Sequence, residues 1–189
     1  RSGGYQEGVD LLRKAEKMPG LTKEQKNQIL LHYSVGIWKL GHLDKAVEFL
    51  QDLFRRNKTG ILYQTLGYLM VETGDLDAAL AFNKEAVDYD DEDAICLDNL
   101  AQTYFRLAND WDSAKSLFEK AFELKPEQID TLYFLAQYDA RSGRFDEAMV
   151  KLKKALEGRF SPLNYATRER VEEQIRIVEG KKRKAAEKA

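Results

Sequence analysis

The chain is poor in cysteine, histidine and proline, and each scarcity rules something out. Cys96 is the sole cysteine, so neither an internal disulfide nor a cysteine-rich zinc site can form. A lone thiol suits a reducing compartment, and a cytoplasmic location is the expectation, with a membrane anchor upstream of Arg1 left open. Three prolines in 189 residues favour long helices over a loop-rich fold. No apolar run approaches the ~18 residues that a membrane-spanning helix needs, and the first residues do not read as a signal peptide. An excess of one charge is also missing. The formal net charge of −2 gives no global attraction to nucleic acid or to an anionic membrane.

What is present is a folded, charge-rich composition, 43% apolar and 33% charged, in a chain long enough for one domain with a real core. The dominant signal is internal repetition. Five stretches align: "GGYQEGVDLL", "GHLDKAVEFL", "GDLDAALAFN", "NDWDSAKSLF" and "GRFDEAMVKL". Each opens on Gly or Asn, continues to a bulky apolar residue, and places a small residue three positions later. Those small residues are Gly8, Ala46, Ala79, Ala114 and Ala148, which are 38, 33, 35 and 34 positions apart. Gly41, Gly74 and Gly143 suit a left-handed position that ends one helix, and Asn109 is the next best residue there. Tyr5, Leu43, Leu76, Trp111 and Phe145 anchor the helix that follows. The small residue marks the closest approach of two antiparallel helices. Two helical turns later Ala15, Leu53, Ala86, Ala121 and Ala155 return to the same face.

Upstream of each turn lies a second helical pattern: Tyr63, Leu66, Gly67 and Met70, then Leu97, Leu100, Ala101 and Tyr104, then Leu132, Leu135, Ala136 and Asp139. With Pro126 at the closing position, these stretches resemble the tetratricopeptide repeat, W-x2-L-G-x2-Y…A-x3-F…P. The resemblance runs over roughly residues 3–160. It implies an all-α, right-handed superhelical solenoid of antiparallel helix pairs, about four of them complete. Three departures stand out. Asp139 replaces an aromatic, with Tyr138 beside it. Asn83 replaces Phe or Leu. One extra residue precedes Asn109.

The ends read differently from the middle. The first repeat shows only its second helix, about Tyr5 to Lys17, so its partner is expected upstream, leaving apolar surface around Val9 and Leu12 uncovered. Thr22 and Gln25 form a capping box for a long helix, about Lys23 to Leu40. After residue 160, Ser161 reads as an N-cap and Pro162 as first-turn proline of a capping helix over 161–180, followed by a basic tail over 181–189. Solenoids need such a polar-backed cap, and Val171, Ile175 and Val178 fall at helical spacing.

Candidate sites sort against this register. "DYDDED" at 88–93 packs five carboxylates into six positions. An EF-hand loop counted from Asp88 would need Gly at Asp93 and Glu at Asn99, so the pattern fails. The same residues align with the junction at Pro126, where Glu92 and Asp93 fall at a helix N-terminus and are each favoured by roughly 0.3–1 kcal/mol. "KKRKAAEKA" reads as a solvated helix end whose cations suit the dipole, and no nucleic-acid partner is expected because no basic face accompanies it. His32, His42 and Cys96 lie on different repeats without an orienting third group. No phosphate loop, H-E-x-x-H or nucleophile elbow occurs. Neither catalysis nor a cofactor is expected.

The family resemblance places a ligand groove on the first helix of each pair. The corresponding residues are Leu31, Val35 and Trp38, then Gln64, Tyr68 and Val71, then Asp98, Gln102 and Phe105, then Tyr133, Gln137 and Ala140, with Arg106 and Arg141 one position further on. Relatives that grip an acidic chaperone terminus use a Lys, Asn and Arg clamp. Leu31, Val35, Gln64 and Tyr68 fill those positions here, so no such clamp is expected. The expected function is a non-catalytic scaffold whose groove takes a protein segment with apolar anchors, extended or helical. The aromatics serve equally well as packing between repeats. The alternatives are self-association as a homodimer and a regulatory or sensory role attached to an upstream anchor or enzyme.

Overall fold

A computed structural model describes residues 4–187. Among them are ten α-helices and no strand: α1 (Tyr5–Glu16), α2 (Lys23–Lys39), α3 (Leu43–Arg56), α4 (Gly60–Thr73), α5 (Leu76–Tyr89), α6 (Ala94–Gln102), α7 (Trp111–Leu124), α8 (Ile129–Arg141), α9 (Phe145–Glu157) and α10 (Arg168–Ala186). A π-helical segment, Thr103–Ala108, continues α6. Helices α2, α4, α6 and α8 make an inner layer, each paired with the next helix in an outer layer, and α1 packs on α2. No described helix is long and apolar enough to cross a membrane.

The hairpin turns follow from glycine. Gly41, Gly74 and Gly143 sit at φ of 91°, 78° and 77°, and Asn109 at 54° is the one described non-glycine residue with positive φ. Side chains of Asp75, Asp93 and Asp110 then cap the next helices by accepting backbone N–H groups, and Thr22 and Gln25 complete the capping box of α2. Ala46, Ala79, Ala114 and Ala148 are all fully buried where the helices cross. Val9, expected at an open end, is instead buried: its Cγ2 lies 2.6 Å from where a Cβ on Gly36 would stand, so that glycine admits α1 against α2.

The three departures from the repeat pattern each have a structural account. Asp139 is buried and accepts from Arg144 (2.7 Å) and Lys151 (2.6 Å), tying α8 to α9. Its neighbour Tyr138 carries the aromatic role, packing on Trp111 and donating its hydroxyl to the Trp111 carbonyl. Buried Asn83 donates to the Gly67 carbonyl (3.2 Å) and to Thr103 Oγ1 (3.1 Å), joining α5 to α4 and to the π segment. Thr103 in turn donates to the Asn99 carbonyl, and Asn99 to that of Gln64. The extra residue is absorbed as π-helix. The nine residues of α6 and six of the π segment together exceed the fourteen of α4 by one. A single insertion in a helix is accommodated in this way by widening one turn.

The capping helix begins later than the Ser161 N-cap predicts. Thr167 is its N-cap, accepting from the Arg170 N–H, and the helix runs on to Ala186 through much of what reads as a basic tail. Val171 and Val178 are fully buried against the last repeat, with Ile175 beside them. Residues 158–167 are instead an irregular strap.

Two outcomes are expected. Ala114→Leu overpacks the α6–α7 crossing and should lower unfolding free energy by about 1–3 kcal/mol in urea titration. Phe105 packs among Trp111, Phe118, Phe134 and Tyr138, so Phe105→Ala should cost about 3 kcal/mol, at the lower end for an aromatic truncation because the ring is only half-buried.

Candidate functional site

The groove positions divide into those that line the inner face and those that turn into the core. Leu31 and Val71 are buried, and Phe105 joins the aromatic cluster between α6, α7 and α8. Arg141 leaves the inner face to lie over the Trp111 ring, 3.9 Å from its centroid. Val35 and Gln137 stay half-buried on α2 and α8. Trp38 meets Tyr68 edge-on at 5.6 Å, with the Lys39 ammonium 3.6 Å above its ring. Gln64 donates to Asp93 Oδ2 at 2.6 Å, so one acid of the "DYDDED" run caps α6 and orients a groove amide together.

Past Thr103 the register shifts from Phe105 to Arg106. Arg106 donates to Gln102 Oε1 (3.0 Å) and Glu72 Oε1 (2.8 Å) across the inner layer. Gln102 is fully buried and donates to Asp98 (2.7 Å) and, at 3.5 Å, to Asp130. Asp98 also accepts from Thr131 Oγ1 at 2.6 Å. Two buried carboxylates therefore sit under one amide in the groove floor. Burial, and next the Asp130 charge, push the Asp98 carboxyl up to about 7. Burial likewise raises Asp130, opposed by backbone N–H groups of Ala166 and Tyr165.

Those two N–H groups belong to the strap. Tyr165 N–H donates to Asp130 Oδ2 (3.0 Å) and Ala166 N–H to Oδ1 (2.8 Å). The Tyr165 ring stacks on Phe134 at 5.3 Å, with Tyr133 at 6.2 Å. Guanidinium groups of Arg106 and Arg170 lie 4.0 and 4.2 Å from its centroid, within the range of cation–π attraction. Leu163 and Tyr165 pack against the core of the first repeats. Beside the strap a cavity of about 630 Å³ remains open, lined by Ile61, Gln64, Tyr68 and Asp98 of the inner layer and by Leu163 and Asn164 of the strap.

Asp130, Leu163 and Tyr165 shape the candidate site and are missed by sequence reasoning. Asp130 in a first helical turn reads as a charge suited to the dipole. The available signal was that Ser161 and Thr167 both qualify as N-caps, and only one helix follows. The Cys96 thiol is pushed up to about 12, chiefly by burial, which removes the thiolate character a nucleophile needs.

The buried acid has a pH signature. Asp98 is raised from an unfolded value of 3.8, so its contribution to stability is greatest below that value and is lost as pH rises through about 7. Asp98→Asn removes this titration. Its thermal midpoint relative to the parent should therefore climb between pH 4 and pH 8, and a pH-independent difference would contradict the assignment.

Residues 105–159 match the family described as tetratricopeptide repeat. BBSome complex member BBS4 of Bos taurus is 25% identical over 160 residues, covering 80% of this chain but only 28% of that protein. Among solved structures, a thermophilic TPR protein of Thermus thermophilus superposes with a TM-score of 0.71 at 21% identity, over 93% of this chain and 91% of that one. MamA gives 0.57 at 22% identity over 82% and 88%. The first TPR of Spaghetti (RPAP3), bound to the HSP90 peptide SRMEEVD, gives 0.50 at 17% identity over 64% and 90%. The fold, the repeat register and these likenesses agree: residues 105–159 match the tetratricopeptide repeat, and the chain has the all-α helical-repeat fold of the solved structures it resembles.

Proposed function

We propose that this protein is a non-catalytic scaffold that binds a peptide or helix segment in the groove of its inner layer. The observation that supports this reading is that an irregular segment of the chain already lies there. It is held through backbone N–H groups on Asp130 and one aromatic side chain on Phe134. Those are the contacts a short peptide would use, an anchor in a pocket plus main-chain hydrogen bonds. The cavity of about 630 Å³ beside it is within the size range of ligand sites and exposes Ile61, itself 54% accessible.

The repeat domain of Spaghetti takes an acidic peptide, but the groove here is of different chemistry. Its floor carries the buried acids Asp98 and Asp130, and its rim mixes Glu127 and Glu157 with Lys125, Lys154 and Arg159. A segment with apolar anchors fits it better than a run of carboxylates, which would meet like charge on a desolvated floor.

The test is selection of binders from a random twelve-residue peptide library, followed by titration against groove variants. Ile61→Asp and Gln64→Ala alter exposed or half-buried groove positions, and the melting temperature should stay close to that of the parent. Binding of the selected peptides should weaken at least tenfold, about 1.4 kcal/mol or more. Peptides that bind the parent and both variants equally would place the interaction elsewhere and overturn the groove reading.

A further inference from the structure

The strap is bound to the groove unlike the rest of the C-terminal region. Helix α10 is fixed by the fully buried Val171 and Val178, and Ala166 is fully buried at its entrance. Between Glu157 and Ala166, by contrast, the hydrogen bonds of Ser161 and Asn164 are internal. Ser161 N–H donates to Asn164 Oδ1, Asn164 N–H to the Ser161 carbonyl, and Leu163 N–H to Ser161 Oγ. The strap therefore carries its own turn into the groove. Its described hydrogen bonds to the groove floor converge on the single carboxylate of Asp130. Leu163 and Tyr165 are only half-buried, and one flank of the strap faces the open cavity. A strap joined to the groove floor through one carboxylate and two half-buried side chains, and flanked by two well-anchored helices, can open locally without loss of the fold.

We propose that the strap is a built-in occupant of the ligand seat, and that the partner supplies a segment of the same chemistry: an apolar residue, a tyrosine two positions later, and a small residue next. This rests on the groove reading above and deepens it. The seat is specific in parts. Phe134 and the two guanidinium groups of Arg106 and Arg170 take an aromatic ring. Asp130 takes the N–H groups of the tyrosine and of its successor. The fully buried Ala166 shows that the successor must be small. Partner and strap cannot both fill this seat, so the affinity seen from outside is lowered by the fraction of molecules whose strap is closed.

The experiment uses a fluorescein-labelled peptide spanning Gly158 to Glu169, titrated by anisotropy into the parent protein and into the Leu163→Ala/Tyr165→Ala variant. The variant should bind the peptide at least tenfold more tightly than the parent, and a peptide with Tyr165→Ala should lose binding to both. Circular dichroism checks that the variant keeps its helix content. If it does not, Ser161→Gly/Pro162→Gly, which loosens the strap turn while leaving the groove intact, takes its place with the same expectation. Equal affinity for parent and variant would overturn the competition. Failure of the peptide to bind a folded, strap-weakened variant would overturn the seat. In both cases, library peptides that still depend on Ile61 and Gln64 would leave the groove reading standing, so the two failures are distinguishable.

Discussion

Each helix hairpin closes on a side chain no larger than a methyl group, and the rest of the molecule depends on that closeness. Ala46, Ala79, Ala114 and Ala148 are completely removed from solvent, which lets the outer helix approach the inner one and sets both at a fixed distance. Repeated at near-constant spacing, the same crossing stacks α2, α4, α6 and α8 into one continuous layer. A solenoid has no single core to close around a site, so the surface offered to a partner in the proposed groove is what that layer presents. Here it presents amides, two buried acids and aromatic rings.

One inserted residue modifies this regular plan at a consequential place. The π segment after Gln102 sits where α6 would otherwise continue the register of α4. Phe105 is turned into the aromatic core, and Arg106 emerges on the inner face to bridge Gln102, Glu72 and the Tyr165 ring. Asn83 braces the widened turn from the outer layer through Thr103. A buried amide in place of an apolar side chain is thus matched to a buried hydroxyl in the next repeat, which stops either repeat from sliding against the other.

The architecture was legible because it rests on local rules. Glycine at left-handed turns, small residues at crossings and the Thr22–Gln25 box each have one good structural meaning, and each is realised. The groove was legible only in part. Gln64 and Tyr68 border the cavity, whereas Val71 is buried on the regular helix α4, and the π segment exchanges Phe105 for Arg106, since a face assignment fails by one residue where the helix widens. The strap was not legible at all. Ser followed by Pro opens a helix and opens a turn equally well. What decides between them is Asp130, thirty-five positions away from Tyr165, and no local pattern carries that information.

The way Asp130 holds the strap has a stereochemical consequence. Successive N–H groups of a β-strand point to opposite sides, so one carboxylate cannot receive both. Tyr165 and Ala166 present theirs to the same carboxylate because the chain folds sharply there, with Thr167 N–H returning to the Tyr165 carbonyl at 3.0 Å. The carboxylate is therefore a gauge of backbone curvature. A straight strand offers it one hydrogen bond and a helix interior offers none, because helical N–H groups are already committed. A chain bent at its aromatic residue offers two.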